Sequence, residues 1–328
     1  MHEAPNGLLP RAAIIGAGRM GLGIAESFVV AGLDVILAES SVELAHASLA
    51  RLAARMAGHA DAGLIDPAAA QRGGAVAVAD GIEDAARNAD LIIECVTEDM
   101  DVKRVVLSAC DAAARPTAII ASNTSSLDIN ALAGFVEHPQ RFLGVHWFNP
   151  PEWTPGVEVI PGELTAPDVA ARVVELLTGI GKRPSIVTSS VGFIANRLQM
   201  ALFCEAARCV EEGLASPRDI DEVVRSCFGF RLPYFGPFQI ADMAGLDVYE
   251  AVVEQHQQGL GDRFEVPEML RTLVRQGRCG TASGAGFYEY GPEPPEMLLV
   301  ERDRRYAALN ALLQVKPPLE FKGGAGAP

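Results

Sequence analysis

A glycine pattern near the start limits what this chain can fold into more than any other feature. Ala12-Ala13-Ile14-Ile15 is a short apolar run, and Gly16-Ala17-Gly18-Arg19-Met20-Gly21 follows it directly. A helical pattern then runs through Ala31 and stops at Gly32. Strand, glycine turn and helix in that order open a dinucleotide-binding βαβ unit. Gly16 permits the tight turn, Gly18 lets backbone approach a pyrophosphate, and Gly21 lets helix and strand pack closely. The unpaired N–H groups of the first helical turn face the phosphate charge.

Asp34-Val35-Ile36-Leu37-Ala38 reads as the second strand and ends at Glu39, 23 residues after Gly16. A carboxylate there accepts hydrogen bonds from ribose hydroxyls and repels the additional phosphate of NADP. The next cation along the chain is Arg51. Gly16, Gly18, Met20, Gly21 and Glu39 are therefore expected to bind NAD. FAD uses the same fingerprint, and the motif alone does not separate the two.

Further strands are expected over Ala75 to Ala79, Leu91 to Val96, Thr117 to Ala121, Phe142 to Val145, Val157 to Ile160 and Ser185 to Val187. Helical patterns separate most of them, one running from about Ala166 to Ile180. Alternation of this kind implies an α/β fold, a doubly wound parallel sheet with helices on both faces. Its buried strands should be almost wholly apolar, as Leu91-Ile92-Ile93 and Ala118-Ile119-Ile120 are. From Gly192 onward the pattern is amphipathic and helical, with Ser216 and Pro217 as a helix start. The expected domains are a Rossmann domain over 1–190, an all-α substrate and dimerisation domain over 191–292, and a last helix (Glu296 to Leu313) with a loose tail over 293–328.

Composition removes several function classes. The chain has 27 basic and 42 acidic residues, a net charge of −15, which repels phosphate backbones and argues against nucleic-acid partners. No run of 18 apolar residues is present, so no membrane span is expected. The first ten residues lack the pattern of a signal peptide. Six cysteines show no CxxC pattern and read as buried free thiols, which suits a reducing cytoplasm. The histidines are scattered, so no metal site is expected.

Polar residues between 122 and 196 stand where packing alone would not put them. Ser122-Asn123-Thr124-Ser125-Ser126 follows a buried strand, at the sheet edge where ligands bind. His146 should also emerge at a strand end. Glu158, twelve residues later, lies between aliphatic neighbours, and a buried carboxylate needs a partner. An imidazolium is the natural one, and the pairing fixes the ring's tautomer. Alcohol oxidation needs such a base to take the hydroxyl proton while hydride leaves carbon for a nicotinamide. Ser125 and Asn196 are candidates to hold the substrate oxygen by hydrogen bonds.

These residues, with Glu94-Cys95-Val96-Thr97-Glu98, Lys103, His146-Trp147-Phe148-Asn149-Pro150, Gly192-Phe193-Ile194-Ala195-Asn196-Arg197, Gly236-Pro237-Phe238 and Gly286-Phe287-Tyr288, occur in an order that resembles the L-3-hydroxyacyl-CoA dehydrogenases. The resemblance runs from about residue 11 to 290. It implies His146 as base, Glu158 as its orienting partner, and Ser125 and Asn196 as substrate and base contacts. It also implies Glu98, Lys103 and Ser125 near the nicotinamide, a small-molecule 3-hydroxyacyl substrate and a homodimer. Two departures stand out. Val191 replaces the usual proline, and Asn149-Pro150-Pro151-Glu152-Trp153-Thr154-Pro155 is more similar to family members acting on small free acids, such as gulonate dehydrogenase. Trp153 and the prolines are expected to stiffen and narrow the entrance beside His146. Between Glu39 and Asp66 the only cations for CoA phosphates are Arg51 and Arg55.

Two other readings compete. The 6-phosphogluconate-like β-hydroxyacid dehydrogenases use a lysine base in the linking helix, but the segment from Gly192 to Arg197 contains none. A protein that holds NAD without turnover would not need His146 and Glu158.

Overall fold

The structure is a computed structural model that describes residues 11–291 and 295–319. The chain divides into two compact units between Ala201 and Leu202. The loose tail expected at the carboxyl terminus lies outside the described residues.

The first unit is built on one sheet of eight strands. They are β1 Ala12–Ile15, β2 Val35–Ala38, β3 Ala77–Val78, β4 Leu91–Glu94, β5 Ile119–Ser122, β6 Phe142–Trp147, β7 Gly156–Pro161 and β8 Arg183–Ile186. Their order across the sheet is β3-β2-β1-β4-β5-β6-β7-β8. Helices α1 Arg19–Val30, α2 Val42–Asp61, α3 Pro67–Gly73, α4 Ile82–Arg87, α5 Met100–Ala113, α6 Ile129–Ala133 and α7 Pro167–Gly179 connect the strands. Every residue of β1, β2, β4 and β5 is buried, because helices cover both faces. Phe28, Leu52, Met56 and Val173 pack on one face, and Leu107, Leu132 and Phe142 on the other.

Two expectations needed correction. The strand expected over 75–79 shrinks to Ala77 and Val78, because it pairs only with β2 at the sheet edge. The sheet is also not wholly parallel. β1 to β6 run parallel, but β7 is antiparallel to β6, and β8 follows the direction of β7. The reversal matters for the site. An antiparallel β7 brings its early residues back beside the carboxyl end of β6, and the register sets Glu158 directly opposite His146.

Asp111 closes the side of this unit. Its carboxylate, 2 % exposed, accepts from Arg141 Nε at 3.1 Å and Nη2 at 2.7 Å, and from the backbone N–H of Glu137 at 2.7 Å. Burial works to raise its pKa, but hydrogen bonds from Arg141, His138 and Glu137 and the Arg141 charge outweigh it and hold the group below the usual carboxylate range. A depressed folded pKa stabilises the protein above the unfolded value and loses that contribution as pH falls through the folded one. Thermal melts from pH 5 down to about 2 should therefore show a steep fall for the wild type and a shallower one for Asp111→Asn. Parallel curves would contradict this.

The second unit is helical. The helix α8 Ala195–Glu211 straddles the division, and α9 Pro217–Ser226, α10 Pro237–Ala244, α11 Leu246–Leu260, α12 Glu268–Arg275 and α13 Pro295–Val315 follow. Ser216 caps α9 by accepting from the Asp219 N–H at 3.2 Å. Asp242, 1 % exposed, accepts from the N–H groups of Phe287 and Tyr288, each at 3.0 Å, and from the Tyr290 hydroxyl at 2.8 Å. That one carboxylate fixes the Gly286-Phe287-Tyr288 segment. The thiols are free, but not all are buried as expected. Cys204 and Cys227 are exposed, while burial pushes the Cys110 thiol up to about 12. Among the described residues no helix is long and apolar enough to cross a membrane.

Candidate active site

The loop between β1 and α1 meets the demands of a pyrophosphate site. Gly16 has φ +89°, and a Cβ there would stand 2.9 Å from the Cys95 carbonyl oxygen. A Cβ at Gly21 would stand 2.1 Å from the Gly16 carbonyl oxygen, so helix and turn touch through bare backbone. At Gly18 a Cβ would meet nothing within 4 Å, leaving space for a ligand. Gly18 is also the N-cap of α1, with no side-chain cap and no acidic residue in the first turn. The first N–H groups of α1 thus keep their donors for an anion. Met20 sits half-buried in that turn and packs on the core. Glu39 follows β2, and its Oε1 accepts from the Ala17 N–H at 2.8 Å. The residues present fit NAD. Arg51, twelve positions along, reaches the same loop, where Nη2 donates to the Ala17 carbonyl at 3.2 Å.

A buried charge network lies under the next strands. Glu94 ends β4 at 0 % exposure and Lys103 on α5 is 1 % exposed. Lys103 Nζ donates to Glu94 Oε1 at 2.7 Å and Oε2 at 2.9 Å, and stands 3.3 Å from Glu98 Oε2. Ser122 Oγ donates to Glu94 Oε2 at 2.6 Å and the Val96 N–H to Oε1 at 2.7 Å. Glu98 Oε1 accepts from the Thr124 hydroxyl, from the Ser125 N–H at 2.9 Å and from the Ser126 N–H at 3.2 Å. The Ser122–Ser126 turn is therefore wrapped around one carboxylate. Burial works to raise the pKa of Glu98, but the Thr124 hydrogen bond, the Lys103 charge and the donors of Ser125 and Ser126 bring it below the usual range.

His146, 4 % exposed, pairs with Glu158, 5 % exposed, through Nδ1 and Oε2 at 2.9 Å. Glu158 Oε1 accepts from the N–H groups of Ile194 at 3.0 Å and Ala195 at 2.9 Å. Those donors are available because Gly192 and Phe193 have φ +71° and +47°, which turns the chain into the start of α8. Phe193 is a non-glycine residue in the left-handed region, held there by complete burial of its ring. The rings of Phe148 and Phe193 lie 4.4 and 5.5 Å from the imidazole, so the polar pair sits in an apolar wall. One residue further, Asn196 Nδ2 donates to the Ser125 carbonyl at 3.3 Å. Asn123 Oδ1 accepts from the Trp147 N–H at 2.9 Å.

His146, Glu158, Asn196, Ser125, Glu98 and Lys103 thus form one connected set. Sequence reasoning gave Glu94 no role of its own, although the test applied to Glu158, a carboxylate in an apolar strand, would have found one. It also gave no role to Thr124, Phe148 and Phe193, which stand within the quoted motifs but carry no such signal.

The expected role of Trp153 was wrong. Its ring packs 5.2 Å from that of His59 on α2. Glu152 pairs with Arg55, which also pairs with buried Glu26 on α1 at 2.8 Å. Lys182 Nζ donates to the carbonyls of Pro151 at 2.6 Å and Thr154 at 3.1 Å. The proline segment is strapped onto the nucleotide-domain helices.

Comparison with known proteins agrees with this geometry. Residues 11–190 match the 3-hydroxyacyl-CoA dehydrogenase NAD binding domain, and residues 192–290 match its C-terminal domain. The chain is 36 % identical over 307 residues to a 5-formyl-3-hydroxy-2-methylpyridine 4-carboxylate 5-dehydrogenase of Mesorhizobium japonicum, covering 92 % of this chain and 97 % of that one. It is 36 % identical over 279 residues to a probable 3-hydroxybutyryl-CoA dehydrogenase of Bacillus subtilis, covering 84 % and 96 %. Among solved structures, a 3-hydroxyacyl-CoA dehydrogenase from Archaeoglobus fulgidus superposes with a TM-score of 0.76 at 28 % identity, covering 93 % of this chain and 98 % of that one. A glycine turn built for NAD, a histidine paired with a carboxylate at the sheet edge, and both domain matches place the chain in the 3-hydroxyacyl-CoA dehydrogenase family of NAD-dependent oxidoreductases.

Proposed function

We propose that His146 is the base of a 3-hydroxyacyl-CoA dehydrogenase reaction, carrying a proton between its Nε2 and the substrate 3-hydroxyl. The hydrogen bond from His146 Nδ1 to Glu158 carries this reading. With Nδ1–H directed at the carboxylate, the lone pair of Nε2 is free to accept. Glu158 is itself fixed by two backbone N–H groups, so it can orient the ring and balance the imidazolium charge without moving. Ser125 and Asn196 are assigned to the substrate oxygen, and Glu98 with Lys103 to the nicotinamide side of the same wall. NAD, when bound, supplies the hydride acceptor. Exposed apolar residues of α8 support a homodimer: the helix has no buried residue, and its Leu198 and Phe203 are 58 % and 64 % exposed. Free thiols support a reducing cytoplasm.

A smaller free acid is the second reading, and one observation favours it. Two of the three arginines of α2 and α3 are already committed, Arg55 to Glu26 and Glu152 and Arg72 to the carbonyls of Val29 and Val30, while Arg51 is tethered by Nη2 to the dinucleotide loop. CoA phosphates find no lysine there, and the one arginine with donors to spare, Arg51, stands at the dinucleotide loop. The similarity to the pyridine-carboxylate enzyme points the same way. NADH oxidation with acetoacetyl-CoA, acetoacetate and bulkier 3-oxo acids separates the two. Turnover of the thioester alone, with competitive inhibition by free CoA, supports the first reading. Better turnover of the free acids, with no effect of CoA, supports the second. No turnover of any would remove both.

A further inference from the structure

Ala17, between the first two glycines of the nucleotide loop, is held from both sides. Its N–H is bonded by Glu39 at 2.8 Å and its carbonyl by Arg51 Nη2 at 3.2 Å. The sequence separation of Arg51 from Glu39 suggested that no cation stood near the ribose-binding carboxylate, and the fold reverses that. Ala45, Ser48, Leu52 and Met56 bury one face of α2. Arg51 leaves the helix beside that face, with Nη2 also bonded to the buried Ser48 hydroxyl at 2.8 Å. One terminal nitrogen of the guanidinium is thereby fixed at the loop. Its Nε and Nη1 make no hydrogen bond with the described residues, and the residue is exposed. Glu39 and Arg51 form no ion pair with each other, so neither charge cancels the other directly.

An arginine with unused donors, anchored at a nucleotide loop, is a ready partner for a phosphate. Glu39 repels that phosphate from the same place. We propose that Arg51 is a second selectivity residue of the cofactor site, a latent partner for a ribose 2′-phosphate that only the Glu39 carboxylate keeps from use. Ser40, exposed and next to Glu39, adds a hydroxyl donor at the same point. This rests on the NAD reading of residues 16–39, and its consequence is specific. Removing Glu39 should admit the phosphorylated cofactor only while Arg51 is present.

The test measures binding as well as turnover. Dissociation constants for NADH and NADPH come from fluorescence titration, and those for 5′-AMP and 2′,5′-ADP from calorimetry. The proteins are wild type, Glu39→Ser, Glu39→Ser/Arg51→Leu and Glu39→Ser/Arg51→Lys. Wild type should prefer NADH by about tenfold or more, a difference of about 1.4 kcal/mol. Glu39→Ser should bind 2′,5′-ADP at least about tenfold tighter than wild type, with an affinity that falls as salt rises. Arg51→Leu in that background should abolish the gain, and Arg51→Lys should keep part of it, since charge remains while the fork is lost. Equal 2′,5′-ADP affinity with and without Arg51 would overturn the proposal, as would no gain in Glu39→Ser. Failure of wild type to bind NADH would instead remove the NAD reading on which it rests.

Discussion

Replacing His146 by Asn is expected to lower kcat by about 10²- to 10⁴-fold, the usual contribution of a general base. NADH binding, followed by fluorescence, should stay nearly unchanged, because the nucleotide loop and Glu39 lie on other strands. The reason is local. His146 lies near the end of a buried strand, is walled by Phe148 and Phe193, and holds its Nδ1 on Glu158 at 2.9 Å. Asn keeps a polar group of similar reach but cannot take up the proton. Glu158→Gln should lower the rate less, since its remaining oxygen can still accept from a ring nitrogen while the countercharge is gone. A His146→Asn enzyme with near-normal turnover would mean that the base is elsewhere.

Lys103→Met should be the most damaging change to stability. It leaves Glu94, at 0 % exposure, without the ammonium that contacts both its oxygens. Breaking a buried pair by removing one partner typically costs about 3–5 kcal/mol. Denaturant titration of wild type and Lys103→Met gives that difference directly. The double variant Glu94→Gln/Lys103→Met should recover part of it, because no buried charge is then left alone. A loss below about 1 kcal/mol would show that water reaches Glu94 in the folded protein and replaces the lysine. Lys103 is assigned to the nicotinamide side of the site, but its ammonium already answers to two carboxylates. Its removal should therefore disturb the Ser122–Ser126 turn through Glu98 as well.

The parts of the site that sequence reveals are those where chemistry conflicts with packing. The three glycines of the nucleotide loop and Glu39 sit at fixed intervals around a strand and a helix, so their placement follows from the local pattern. Glu158 was legible because it interrupts an apolar strand and a buried charge must find a partner, and His146 because it follows an apolar strand and is the natural partner. The direction of β7 was not legible, since alternation of side chains is the same in parallel and antiparallel strands. Arg51 was misjudged because distance along the chain says little about which helix face returns to a loop. Trp153 was misjudged because a proline-rich segment reveals stiffness but not direction. Its anchors, Arg55, His59 and Lys182, come from α2 and from the turn before β8, remote in sequence from the strap.

The most direct measurement uses NADH carrying deuterium at both positions of the nicotinamide C4, incubated with the wild-type chain and the 3-oxo substrate that it turns over best. Hydride transfer to the 3-carbonyl with protonation from His146 predicts a product with one deuterium on the new carbinol carbon and a hydroxyl proton from solvent. It also predicts that His146→Asn forms that product far more slowly. A product without deuterium at that carbon, or labelled product formed at the same rate without His146, would contradict it.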